Sequence, residues 1–216
     1  MRTRERERMV TTQIEARGIT DPLVLAALRA VPRERFVPPA LARFAYEDRP
    51  LPIEAGQTIS QPFIVAVMAQ AAGLEPGARV LEIGTGSGDG AAVLSRLAAE
   101  VYTVERVGAL AEAARDRLAA LGYANVHVRE GDGSLGWSEH APYDAIVVTA
   151  GGPRVPEALL SQLASGGRLI MPVGSGALHQ RLVRVTRTDA LAYRYEDLEA
   201  VAFVPLIGAE GWTEGG

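Results

Sequence analysis

From Arg79 onward, short apolar runs alternate with stretches of helical period. Val80 to Ile83, Val101 to Glu105, Val126 to Val128, Tyr143 to Thr149 and Arg168 to Met171 read as strands. Ala145-Ile146-Val147-Val148 is apolar at every position, as a parallel strand buried on both faces requires. Ala91 to Ala98 reads as a helix. Leu110, Ala114, Leu118 and Leu121 fall on one helical face, with Gly122 at the C′ position. Val155, Leu159, Leu160 and Leu163 mark another helix, ended by Gly166-Gly167. Arg181 to Thr186 and Val201 to Leu206 are β-like, and the short polar link between them predicts an antiparallel pair at one sheet edge. The alternation predicts an α/β fold, a doubly wound Rossmann-like sheet that is mostly parallel.

The N-terminal third follows another pattern. Residues 1–30 read as helical, with Gly18 as punctuation. Asp21-Pro22 fits an N-cap followed by proline at the first helical position. Prolines 32, 38 and 39 then break the period, and Ala45 to Ile53 keeps none, so this stretch reads as an irregular and functional loop. Gly56-Gln57-Thr58-Ile59-Ser60-Gln61-Pro62 closes that loop, and Ile64 to Ala72 returns to helical spacing. The expected division of a single domain is a helical section over 1–75 covering the edge of a core over 76–208, with a loose tail over 209–216.

Composition narrows the class. The 216 residues carry a net charge of −4, and no global basic field argues for nucleic acid. The absence of cysteine excludes disulfides, thiolate metal sites and a cysteine nucleophile. His127, His140 and His179 are scattered, and no metal is expected. No apolar run nears the roughly 18 residues of a membrane span. A cytoplasmic, monomeric enzyme without a membrane or nucleic-acid partner is the expectation.

The chemistry centres on Glu82-Ile83-Gly84-Thr85-Gly86-Ser87-Gly88, between a strand and a helix. Such a turn is expected to present bare backbone N–H groups to a ligand at a helix N-terminus. A dinucleotide fingerprint needs its third glycine five positions after Gly84, where Asp89 stands instead. Glu105, followed by Arg106, ends the second strand, where an acid can hold ribose hydroxyls or be an ordinary strand-end charge. Asp132-Gly133 follows the third strand, where it meets an adenine amino group or serves only as a turn.

The turn resembles the first motif of S-adenosylmethionine-dependent methyltransferases. Val31 to Pro38, Ala45 to Asp48, Leu51 to Ile53, Gly56 to Pro62, Gly131 to Gly133, Pro142 to Asp144, Val148 to Ala150 and Val204 to Leu206 resemble, more narrowly, the protein-L-isoaspartate O-methyltransferase family, from about Met9 to Trp212. The resemblance implies S-adenosylmethionine as cofactor, S-adenosylhomocysteine as product and isoaspartyl proteins and peptides as partners. The isoaspartyl α-carboxylate is methylated, and the ester then closes to a succinimide that reopens partly to aspartate, which is repair. It implies cofactor contacts at Thr58, Ile59, Glu82, Gly84, Thr85, Gly86, Ser87, Gly88, Glu105, Arg106, Asp132 and Gly133. Ser60 is placed beside the substrate carboxylate, and Val204, Pro205 and Leu206 along the substrate peptide. Because Ser60 precedes a helix, an N-cap is its alternative role. Methylation of a normal aspartate in one dedicated partner, or a non-catalytic cofactor-binding module, are the alternative functions. One departure stands out: the family commonly has an aromatic residue where this chain has Asp89, followed by Gly90. An acid there favours a helix N-terminus by about 0.3–1 kcal/mol. It either repels the cofactor's carboxylate or assists its sulfonium.

Overall fold

The computed structural model describes residues 2–176, 179–190 and 192–214. Its centre is a seven-stranded sheet. In chain order the strands are β3 (Arg79–Ile83), β4 (Glu100–Glu105), β5 (Val126–Glu130), β6 (Tyr143–Val148), β7 (Leu163–Gly174), β8 (Gln180–Asp189) and β9 (Ala192–Val201). Their spatial order is β5-β4-β3-β6-β7-β8-β9. Strands β3 to β7 run parallel, and β8 and β9 add an antiparallel edge. The chain builds outward from β3 to β5, then returns to place β6 on the other side of β3. The C-terminal ends of β3 and β6 therefore flank the switch point, where open α/β sheets bind ligands.

The burial pattern accounts for this sheet. Val80, Val101, Ala145, Val147 and Ile170 face one apolar cluster, and Leu81, Ile83, Ile146, Val148 and Leu169 face another. Successive strand residues point to opposite faces, so an all-apolar strand such as β6 needs cover on both. Helices α4 (Asp89–Leu94), α5 (Gly108–Ala120) and α6 (Glu157–Ser161) fill the connections after β3, β4 and β6.

The antiparallel edge differs in detail from the expected one. The partner of β8 is Ala192–Val201, whereas Val201–Leu206 is not a strand of this sheet. Tyr193 and Tyr195 suit an edge strand, and the charges of Arg194, Glu196 and Asp197 interrupt the apolar period. Pro205 has no N–H for a ladder. Its segment instead crosses the sheet's C-terminal edge and forms an isolated bridge with Gly151.

The N-terminal section comprises α1 (Thr3–Met9), α2 (Pro22–Ala30), short helical turns, a two-stranded ribbon of β1 (Leu51–Pro52) and β2 (Thr58–Ile59), and α3 (Pro62–Ala72). Asp21 caps α2 by accepting from the Leu23 and Val24 N–H groups at 2.8 and 3.3 Å. The tail is not loose through Trp212. The Ala209 N–H donates to Asp132 Oδ2 at 2.7 Å, the Glu210 N–H to Ser134 Oγ at 3.0 Å and Trp212 Nε1 to the Gly151 carbonyl at 3.0 Å. These fixed acceptors outweigh the glycine content that predicted looseness. Gly215 and Gly216 lie outside the described residues. No helix among the described residues is long and apolar enough to cross a membrane.

Candidate active site

A cavity of about 790 Å³ opens at the C-terminal ends of β3 and β6. Its floor is the glycine turn after β3. The turn's N–H groups are less bare than the pattern implied. The Gly84 N–H donates to the Val104 carbonyl at 2.9 Å, Gly86 to Glu105 Oε2 at 2.9 Å and Gly88 to the Thr85 carbonyl at 2.8 Å. What the glycines supply is closeness. Gly84 has φ +93°, and a Cβ there would lie 2.4 Å from Thr149 Oγ1, which donates to the Gly84 carbonyl at 2.8 Å. Only a residue without a side chain lets β3 and β6 meet this tightly. Ser87 Oγ is buried in the turn without a hydrogen-bond partner among the described residues.

Carboxyl groups surround this floor. Glu82 is 1% exposed and accepts from Thr103 Oγ1 at 2.6 Å. Burial above all pushes its carboxyl up to about 8, with Asp89 and Glu105 adding repulsion and Thr103 pulling down. Gly90 leaves the space Glu82 needs, since a Cβ there would sit 2.2 Å from Glu82 Oε1. Glu105 accepts from Gly86 and, at 3.0 Å, from the Val107 N–H. Each of its oxygens keeps a lone pair for a ligand. Asp89 also lines the cavity and forms a buried ion pair with Arg33 at 2.5 Å. Burial raises the Asp89 carboxyl, and the Arg33 guanidinium pulls it part of the way back.

The other wall is the β2 segment. Thr58, Ile59 and Ser60 all line the cavity. The N-cap of α3 is Gln61, without a side-chain cap of its own. The capping is done by Asp48, which accepts from the Phe63 N–H at 3.1 Å, from Gln61 Nε2 at 2.7 Å and from Arg17 Nη1 at 2.6 Å. The cap role considered for Ser60 therefore belongs to Asp48. Ser60 lines the cavity, and no hydrogen bond among the described residues engages its hydroxyl.

The remaining positions divide between the cavity lining and the structure behind it. Glu82, Gly84, Thr85, Gly86, Ser87, Glu105, Arg106, Gly133, Val204, Pro205 and Leu206 line the cavity, and Gly88 and Asp132 do not. Gly88, at φ +93°, turns the chain into α4. Asp132 is taken up by structure: Oδ1 accepts from the Ser134 N–H at 2.8 Å and Oδ2 from Ala209. Its Asp-Gly pair opens a short helical turn, and Gly133 lines the cavity. Arg106 sits at the rim, ion-paired with Glu214 at 2.6 Å. The Val204 carbonyl and Leu206 N–H are both bonded to Gly151 at 2.8 Å, which leaves few backbone groups of that segment for a ligand. His127 pairs with Glu100, and both it and His140 stack on Tyr102, away from the cavity.

Arg33 is the residue the pattern did not expose. It is 4% exposed, and in the sequence it is one of three consecutive charges, Arg33-Glu34-Arg35, with nothing to mark it as the buried one. Gln180 is similar: buried, it accepts from the Phe203 N–H at 2.8 Å and steadies the chain entering the Val204 segment.

The model of the family described as protein-L-isoaspartate(D-aspartate) O-methyltransferase matches residues 4–211. A protein-L-isoaspartate O-methyltransferase 1 of Rhodopseudomonas palustris (strain HaA2) is 62% identical over 209 residues, 97% of this chain and 85% of that one. A protein-L-isoaspartate O-methyltransferase 2 of Pelobacter propionicus is 61% identical over 207 residues, 96% and 92% of the two chains. Among solved structures, a putative protein-L-isoaspartate O-methyltransferase from Plasmodium falciparum, in complex with S-adenosyl-L-homocysteine, superposes with a TM-score of 0.81 at 25% identity. That match covers 94% of this chain and 98% of the other.

Proposed function

The chain belongs to the protein-L-isoaspartate(D-aspartate) O-methyltransferase family and is an S-adenosylmethionine-dependent protein methyltransferase, and from that premise we propose how its residues carry the reaction. The reading is transfer of a methyl group to the α-carboxylate of L-isoaspartyl residues, with Ser60 orienting the acceptor oxygen. The observation that carries the serine's role is the place of Ser60 on the cavity wall, with the cap of α3 supplied by Asp48 instead.

The residues present fit the cofactor. Ser87 Oγ is a buried, unpartnered polar atom in the glycine turn. Glu105 keeps acceptor lone pairs for ribose hydroxyls, with Arg106 beside it at the rim. Thr58, Ile59, Gly84, Thr85, Gly86 and Gly133 shape the walls. Gly88 and Asp132 would act from behind the lining, by holding the glycine turn and the C-terminal segment. When bound, S-adenosylmethionine supplies a methyl group activated by a positively charged sulfur. Glu82 keeps its proton at neutral pH and Asp89 is paired with Arg33, which leaves Glu105 as the carboxyl of the floor that can face a cation.

The acceptor makes few demands. A carboxylate with a pKa near 3.9 is ionised at neutral pH, so the chain needs no general base. One C–S bond breaks as one C–O bond forms, leaving a methyl ester and a neutral thioether, with no proton transferred. What the protein contributes is alignment and the exclusion of water. The Ser60 hydroxyl donates one hydrogen bond to the carboxylate oxygen that does not attack. Pro205 offers a carbonyl beside the Gly151-bonded groups for the substrate backbone, and Val204 and Leu206 give it apolar contact. A monomer in the cytoplasm is the proposed setting. Loss of one hydrogen bond to a charged group costs about 1.5–3 kcal/mol, so Ser60→Ala is expected to lower kcat on an isoaspartyl peptide by about ten- to a hundredfold. Its affinity for S-adenosylhomocysteine, measured by calorimetry, should stay near wild type. Wild-type turnover would remove Ser60 from the mechanism.

A further inference from the structure

Arg33 lies outside the cavity lining, yet all of its nitrogens point to groups that matter to the cavity. Nε donates to the Ala45 carbonyl at 2.9 Å, Nη1 to Asp89 Oδ2 at 2.5 Å and Nη2 to the Ser60 carbonyl at 2.6 Å. The side chains of Arg33 and Asp89 are 4% and 6% exposed. One planar fork thus joins the irregular loop, the residue that carries the free hydroxyl and the first residue of α4. Asp89 follows directly on the glycine turn and lines the cavity. We propose that Arg33 is a positioning residue that fixes Ser60 against the cofactor turn, using the Asp89 carboxylate as its anchor.

The chemistry of the fork supports this. Guanidinium donors leave the group at set angles in one plane, so the direction of the Asp89 bond dictates that of the Ser60 bond. A lysine would keep the charge and lose that geometry. Removing either partner alone leaves an uncompensated buried charge, whereas removing both together is tolerated far better. The pair also accounts for Asp89-Gly90 in place of an aromatic residue. The acid anchors Arg33, and the glycine beside it leaves room for Glu82.

The proposal rests on the reading of Ser60 given above, and the experiment separates the two. Arg33→Lys, the pair Arg33→Met with Asp89→Leu, Ser60→Ala and the combination of Arg33→Lys with Ser60→Ala are assayed for methyl transfer to an isoaspartyl peptide. Affinity for S-adenosylhomocysteine is measured in parallel by calorimetry. A misplaced reacting group costs up to about a hundredfold, so Arg33→Lys is expected to lower kcat by about ten- to a hundredfold, with cofactor affinity close to wild type. The Met/Leu pair should fold and show the same loss in kcat. Adding Ser60→Ala to Arg33→Lys should cost far less than Ser60→Ala alone, because both act on one bond. Wild-type kcat in Arg33→Lys or in the Met/Leu pair overturns the proposal. So does a loss confined to cofactor affinity, or full additivity with Ser60→Ala. Wild-type turnover in Ser60→Ala alone fails the serine reading first, and the positioning role falls with it.

Discussion

Glu82 buries a carboxyl at the base of the cavity, beside two further acids and one guanidinium. Its ordinary value is 4.5, and burial lifts it to about 8 in the folded chain. Below the lower value the proton is bound in both states and nothing is lost. Between the two values the folded chain holds a proton that the unfolded chain has released, so stability falls as pH rises. We expect the melting temperature without cofactor to decline from about pH 5 to pH 8, through a loss on the order of a few kcal/mol. Glu82→Gln should decline less over the same window. Parallel melting curves for the two proteins would show that Glu82 is ionised throughout. At the same scale, Asp89 changes meaning once Arg33 is placed beside it. Read along the chain it was a charge facing a cofactor; in the fold it is half of an ion pair whose other half lies 56 residues upstream. Pairing across that distance has no periodic signature.

The elements were legible wherever one physical pattern governed them. β3, β4 and β6 have apolar positions on both faces, β5 has Val126 and Val128 on one, and α5 has an apolar stripe with a glycine stop, so each lies close to its expected place. α4 is shorter than expected, ending at Leu94, and β7 begins at Leu163, earlier than the glycine pair predicted. The β7 start pairs Leu163 with Tyr143 across a register shift, a local bulge that hydrophobic spacing does not encode. β9 was missed because charges interrupt its apolar period. The start of α3 shows a further limit. Ser60 fits the preferred composition of a cap, but the cap is Asp48, supplied from the irregular loop. Asp48→Ala is expected to destabilise by about 1 kcal/mol, a fall of roughly 3 °C in melting temperature. Because Asp48 also binds Gln61, the same variant should raise KM for an isoaspartyl peptide. An unchanged melting temperature would mean that the bonds to Phe63, Gln61 and Arg17 contribute nothing net.

On the scale of the whole molecule, the switch point between β3 and β6 gathers parts from distant stretches. The cofactor side comes from residues 82–107, the hydroxyl from the N-terminal section and the far wall from residues 200–207. The fold class and this gathering point followed from strand-helix alternation and the glycine turn. The role of the C-terminal segment did not, because its bonds to Asp132, Ser134 and Gly151 are all long range. Trp212→Ala removes a bond to the Gly151 carbonyl, the group that also accepts from Leu206. It should cost about 1–2 kcal/mol and lower the melting temperature by about 3–6 °C. KM for the peptide should rise more than kcat falls. A change in kcat alone would place the segment's influence on the chemical step.

The reaction itself is tested most directly with a matched pair of peptides, identical except that one carries an isoaspartyl and the other an aspartyl residue. Each is incubated with the protein and methyl-labelled S-adenosylmethionine, and base-labile methyl ester is counted. Strong labelling of the isoaspartyl peptide with background labelling of its partner is the expected result. Equal labelling of both, or cofactor binding with no labelling of either, would contradict it.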